Sequence, residues 1–195
     1  MSFMDKAKRM AGKAMRPIHA GDDKLMLNSR DIAADRMPRR IEVHSDAFDD
    51  NGVIPVKYSG EGQDVSPPLR WSGVPAEARE VVVLCEDPDA PMTKPFLHWL
   101  MRGLSPQLDR LPEGISKMAH PSEVDGAEQG ENGRHAAGYM GPMPPQGRGA
   151  HHYHFEVFAL DQPLTDGIAD RDALKRAMAG HVIAYGEVVG TYERR

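Results

Sequence analysis

Val81-Val82-Val83-Leu84-Cys85 runs for five apolar residues without a polar break, between Glu80 and the pair Glu86–Asp87. A strand with one wet face alternates apolar and polar residues; a strand that does not alternate needs cover on both faces. The run then stops at DPDAP (Asp87–Pro91), whose two prolines end regular pairing. The chain must therefore build a sheet that is packed on each side.

From Ile41 onward, short apolar runs are separated by Gly, Pro, Asn and Asp. IPVKYSG (Ile54–Gly60) alternates and predicts a strand, and LRWSGVP predicts a short strand ending in a turn. PFLHWLMRGL (Pro95–Leu104) and HHYHFEVFALD (His151–Asp161) predict two more strands, the second rich in aromatic and branched residues. RDALKRAMA predicts one helix, with Asp170 as its cap and Gly180 at its end. HVIAYGEVVGTYER predicts a long last strand, kinked or bulged at Gly186 or Gly190. About eight strands and one clear helix make the fold class mainly β, a sandwich with helical decoration. Glu123–Gly138 is polar and Gly-rich and reads as a surface loop.

Residues 1–40 show no strand pattern and read as a basic N-terminal extension, leaving 41–195 as the folded domain. Lys6, Lys8, Arg9, Lys13 and Arg16 stand against Asp5, while Met4, Ala7, Met10, Ala11 and Ala14 share helical spacing. Two readings fit: an arm that frays or packs on the domain, and an arm that lies on an acidic membrane surface or partner. A net charge of −5 argues against a nucleic-acid binder. The lone cysteine requires no oxidising compartment, and no apolar run spans a bilayer or makes a secretory signal, so the expected location is cytoplasmic.

Three places could carry chemistry. On an extended 151–159, His151, Tyr153, Phe155, Val157 and Ala159 share one face, and His152, His154, Glu156 and Phe158 the other. The first face grows apolar along the strand, which sets His151 and Tyr153 at the mouth of a buried surface. Asp87 and Asp89 straddle Pro88 directly after the buried strand, and His98 lies in an apolar strand between Leu97 and Trp99. Each also has a structural reading: a satisfied pair at a strand's wet end, a turn whose carboxylates bind backbone N–H groups, and a core histidine. Before His151, GYMGPMPPQGRG (Gly138–Gly149) crowds glycine and proline together. Such a loop can fix its backbone before a ligand arrives, and Met140–Met143 and Gly147–Gly149 are candidate N–H donors, the prolines excepted.

SPPLRW (Ser66–Trp71), DPDAP, the histidine eleven residues after Asp87, GYMGPMPPQGRGAHHYHFEVFALD and GHVIAYGEVVGTYER occur in that order within Ile41 to Arg194. Together they resemble the phosphatidylethanolamine-binding protein family, also called the Raf kinase inhibitor protein family, in its bacterial branch. The resemblance implies antiparallel Greek-key β-sheets with a few peripheral helices, and a small pocket for the phosphate of a headgroup or nucleotide. Carried over by motif, the pocket residues are Asp87, Asp89, His98, Gly141, Pro144, Pro145, Gly147, His151 and Tyr153. It also implies a binder with no cofactor and no catalytic residues, possible regulation of a kinase or other signalling protein, and a homodimer. Two positions depart from the family pattern: His152 stands where an arginine is usual, and Met143 where animal members carry glycine. The alternatives from the residues themselves are a hydrolase or a metal-binding protein using His98, His151 and Asp87. An anion pocket built this way should gain affinity as pH falls from about 8 to 6 and His98 or His151 becomes charged.

Overall fold

In this computed structural model the described residues are 19–29, 32, 39–165, 167–168 and 170–195; the expected helical arm over Met4–Ala14 lies outside them. Ten strands are present among them: β1 (Arg39–Arg40), β2 (Glu42–His44), β3 (Gly52–Val53), β4 (Leu69–Ser72), β5 (Glu80–Asp87), β6 (Phe96–Leu104), β7 (Arg110–Leu111), β8 (Glu128–Gln129), β9 (His151–Leu160) and β10 (Val182–Tyr192). One helix, α1 (Arg171–Met178), joins them, with single 3-10 turns at Asp22–Lys24 and Val56–Tyr58. The large sheet runs β1-β10-β9-β5-β6-β8, with β3 also on β10, and the small one runs β2-β4-β7. Strands β5, β6 and β8 lie side by side in chain order, and β9 returns to pair with β5. That order is a Greek key. The fold is mainly β, as expected, although β1 and β3 run parallel to β10.

Strand β5 is buried along its whole length, and its two faces enter two different cores. Val81, Val83 and Cys85 join Trp99, Met101, Tyr153, Phe155 and Val157 beneath the small sheet's Val43, Leu69 and Trp71. Val82 and Leu84 join Leu100, Phe158 and Leu160 beneath Leu174 and Met178 of α1 and Met26 and Ile32 of the N-terminal segment. The cover on both sides that the unbroken apolar run demands is thus a sheet on one face, and a helix and a chain segment on the other. The alternation in β9 resolves as read: Tyr153, Phe155, Val157 and Ala159 point inward, and Phe158 points toward α1. Helix α1 begins where expected, since the Asp170 carboxylate accepts a hydrogen bond from the Ala173 N–H at 2.8 Å.

Three local expectations are corrected. Ile54–Gly60 is not a strand: Tyr58 N–H donates to Pro55 O and Ser59 N–H to Val56 O, closing a 3-10 turn that leaves Val56 exposed and Tyr58 buried. Glu123–Gly138 is not all surface, because Val124, Ala127, Gln129 and Asn132 are buried and Glu128–Gln129 forms β8. The irregularity in β10 falls between Val182 and Ala184, not at a glycine. Gly186 instead admits a neighbouring backbone: a Cβ there would lie 1.9 Å from the carbonyl oxygen of Ile41. We expect Gly186→Ala to lower the unfolding free energy by about 1–3 kcal/mol, as overpacking does. Urea denaturation measures it, and an unchanged midpoint contradicts the close approach.

Candidate functional site

The end of β5, the start of β6 and the start of β9 meet at one margin of the inner core, the one beneath the small sheet as opposed to the outer core beneath α1, and a cavity of about 250 Å³ opens there. Its position follows from pairing register. Cys85 pairs with Trp99 but Glu86 pairs with Leu97, so His98 is one residue too many and forms a bulge. Leu97 faces the outer core, Trp99 faces the inner core, and the extra residue between them is turned into the cavity. Asp87 arrives at the last position of β5, and His151 and Tyr153 at alternate positions on the inward face of β9. Pro91, Met92 and Phe96 form one wall, and the loop with Met140, Met143, Pro144 and Pro145 another.

Both oxygens of Asp87 are engaged. Oδ1 accepts from the N–H groups of Asp89 (2.8 Å) and Ala90 (3.1 Å), which fixes the turn, and Oδ2 meets His151 Nδ1 at 2.8 Å. A carboxylate oxygen accepts, so Nδ1 of His151 carries hydrogen and Nε2 is left for the cavity. His98 Nδ1 lies 2.7 Å from the carbonyl oxygen of Met140, which likewise makes Nδ1 the donor. The Tyr153 hydroxyl is fully buried and has no hydrogen-bond partner among the described residues. Its ring stands edge-on to His98, with centroids 5.0 Å apart.

The two imidazoles are tuned in opposite directions. Burial opposes charge on His151, but the Asp87 hydrogen bond and the charges of Asp87 and Asp89 outweigh it and raise its pKa above 6.5. Burial dominates at His98 and lowers its pKa, against the pull of the Met140 carbonyl and of Asp87. Burial, then the Asp87 charge, raises the Tyr153 pKa, so its hydroxyl stays protonated. The signs for stability differ accordingly. The His151 contribution is full below 6.5 and is lost as pH rises through its elevated pKa. The His98 contribution is full above 6.5 and is lost as pH falls through its depressed pKa.

Of the residues singled out in the sequence, Asp87, His98, Pro144, Pro145, His151 and Tyr153 line the cavity together. Asp89 and Gly141 stand behind it. Asp89 Oδ2 accepts from the His152 backbone N–H (2.9 Å) and meets His152 Nδ1 (2.8 Å), so the histidine in the usual arginine position has its own carboxylate partner. Gly141 lies against neighbouring backbone, where a Cβ would come within 2.4 Å of the Tyr58 carbonyl oxygen. Three of the loop's candidate N–H donors are spent on the protein. Met140 N–H donates to His98 O, Gly141 N–H to Asp64 Oδ1, and Gly147 N–H to Arg194 O. Sequence reasoning missed Asp64, which holds the loop, and the lining residues Met92, Phe96 and Arg134. The Arg134 guanidinium has no ion pair among the described residues. Only the tertiary fold brings it to the cavity.

Among the described residues, no group of three histidine, cysteine, aspartate or glutamate side chains is placed to hold a metal ion. Among the described residues, no serine, threonine, cysteine or lysine lines the cavity. Cys85 is buried in the core, where burial, and next the Asp87 charge, pushes its thiol pKa well up.

Comparison with known proteins places this architecture. The phosphatidylethanolamine-binding protein family profile matches residues 44–193. A UPF0098 protein of Pyrococcus horikoshii is 45% identical over 152 residues, covering 77% of this chain and 76% of its own. Among solved structures, a phosphatidylethanolamine-binding protein homologue of Chlamydia trachomatis superposes with TM-score 0.71 at 38% identity, over 80% of this chain and 99% of that one. YbcL of Escherichia coli superposes with TM-score 0.73 at 28% identity and the same coverages. The chain belongs to the phosphatidylethanolamine-binding protein family.

Asp87→Asn should drop the His151 pKa below its ordinary 6.5, because burial then acts without the carboxylate. Proton NMR titration of the imidazole measures it, and an elevated pKa in the variant contradicts the assignment.

Proposed function

We propose that the cavity binds the phosphate of a small molecule or phospholipid headgroup, and that the protein is a binder and not a catalyst. The observation that carries this reading is the buried Tyr153 hydroxyl, unpartnered among the described residues, beside two imidazoles, one of them pushed toward its charged form by Asp87. An orphaned buried hydroxyl costs about 1–3 kcal/mol, which a ligand oxygen offsets on binding. His151 Nε2–H and Tyr153 O–H are donors already fixed in place, and Arg134 adds positive charge at the mouth.

Asp87 stands close to where an anion would sit. At about 4 Å and an effective dielectric near 20, a carboxylate and a single negative charge repel by about 4 kcal/mol. Three bonds already occupy the Asp87 oxygens, and one of them goes to His151. That favours the aspartate's role as a partner that keeps the imidazole charged and oriented, over one of facing a ligand's ammonium group.

His151 carries the charge, so affinity for phosphate or phosphoethanolamine should rise as pH falls from about 8 to 6 through its raised pKa. His151→Gln should weaken binding about tenfold or more, the value of a charge-assisted hydrogen bond. Isothermal titration calorimetry across that range checks both, and a flat pH profile removes the charged imidazole from the account. Two wider expectations belong to the same proposal: a cytoplasmic protein that pairs as a homodimer, and one that engages a kinase or other signalling protein. Analytical ultracentrifugation tests the first interaction, which a monomer at all concentrations contradicts.

A further inference from the structure

The cavity holds an acceptor as well as donors. Because a carbonyl oxygen can only accept, the 2.7 Å contact with Met140 O fixes hydrogen on Nδ1 of His98. In the neutral ring the lone pair is then on Nε2. That ring is 3% exposed and lines the cavity. No hydrogen bond to its Nε2 exists among the described residues.

We propose that the site selects phosphate in its singly protonated form, as a phosphomonoester or inorganic phosphate monoanion whose P–O–H donates to His98 Nε2, and rejects oxyanions without an acidic hydrogen. This rests on the anion-binding reading above, adds the ligand's protonation state and, because the phosphate of an intact phospholipid is a diester, narrows that reading to inorganic phosphate and phosphomonoesters. The remaining oxygens of such a ligand take hydrogen bonds from His151 Nε2–H and Tyr153 O–H. Donors and acceptor match a monoester monoanion, which has one hydrogen to give and several lone pairs to fill.

Sulfate and a phosphodiester present the same tetrahedral oxygens but carry no such hydrogen near neutral pH. Either would turn an oxygen lone pair toward the Nε2 lone pair. The ring could relieve this by taking a proton, but burial among Phe96, Tyr153 and Met140 works against charge there, and the ring's depressed pKa agrees. Protonating His98 would also set a second cation beside His151, since the two rings repel when both are charged. The charged groups facing His98 are Asp87 and His151 in the interior, the part-exposed Asp64 behind the loop, and Arg134 at the mouth. Leaving a buried polar group mispaired weakens binding by about tenfold or more. The shape of the cavity alone cannot make this distinction, because phosphate and sulfate are nearly isosteric.

The full-length protein titrated at pH 6.5 with inorganic phosphate, methyl phosphate, dimethyl phosphate and sulfate, at constant ionic strength, decides the matter. Phosphate and methyl phosphate should bind at least about tenfold more tightly than sulfate and dimethyl phosphate. His98→Asn can keep the hydrogen bond to Met140 O but lacks an acceptor at the Nε2 position, and should lose the preference for phosphate over sulfate. Its thermal melt confirms that the variant folds, and the wild-type comparison stands without it. Equal binding of phosphate and sulfate by the wild type overturns protonation selectivity while leaving an anion site intact. Binding of none of the four overturns both this proposal and the anion-binding reading.

Discussion

One buried contact, Asp87 Oδ2 to His151 Nδ1 at 2.8 Å, joins the end of one central strand to the beginning of its neighbour. Strands β5 and β9 pair up to Glu86 and His154, and beyond that the chains diverge into the Pro88 turn and the Pro/Gly loop. Without a link there, two strand ends would separate into solvent and no cavity would form between them. The carboxylate also organises the turn, because its other oxygen binds the N–H groups of Asp89 and Ala90. A single side chain thus sets the turn, the histidine's orientation and the histidine's charge.

The outer face of the same strands is held by a different kind of polar contact. Glu86 is fully buried, accepts from the Met26 N–H at 2.8 Å and pairs with Arg171 of α1. Glu156, also fully buried, accepts from the Leu27 N–H at 3.1 Å. Burial, and then the Glu86 charge, pushes the Glu156 pKa well up. The carboxylates provide backbone N–H groups of the N-terminal segment with partners they would otherwise lack under the helix. Gly21 N–H reaches Pro88 O at 3.3 Å, so this segment also touches the turn that carries Asp87. The cover over β5 and the geometry of the cavity are therefore mechanically continuous.

Much of this was legible in the sequence because it depends on local pattern. Unbroken Val81–Cys85 demanded two cores, and period-two order in 151–160 placed Tyr153 inward and Phe158 outward. Asp170 before RDALKRAM marked a helix start from one side-chain oxygen. The failures share a cause too. Ile54–Tyr58 alternates like a strand, but strand identity requires a partner, and this segment closes on itself in a turn. Gly141 and Gly186 are needed for close approach to Tyr58 and Ile41, contacts between residues far apart in the chain. His98 faces the cavity because of a bulge relative to β5, which neither strand reveals alone. Arg134 and Asp64 had no motif at all; the fold alone brings them to the site.

One cavity holds two imidazoles driven in opposite directions, His151 toward the charged form by its carboxylate and His98 toward the neutral form by burial, with hydrogen on Nδ1. Long-range proton–nitrogen NMR correlation on the nitrogen-15-labelled ligand-free protein at pH 6.5 reads both rings directly. His151 should show two imidazolium-type nitrogen shifts, and His98 one protonated Nδ1 beside one unprotonated Nε2. A charged His98, or a His98 protonated only at Nε2, would contradict this assignment.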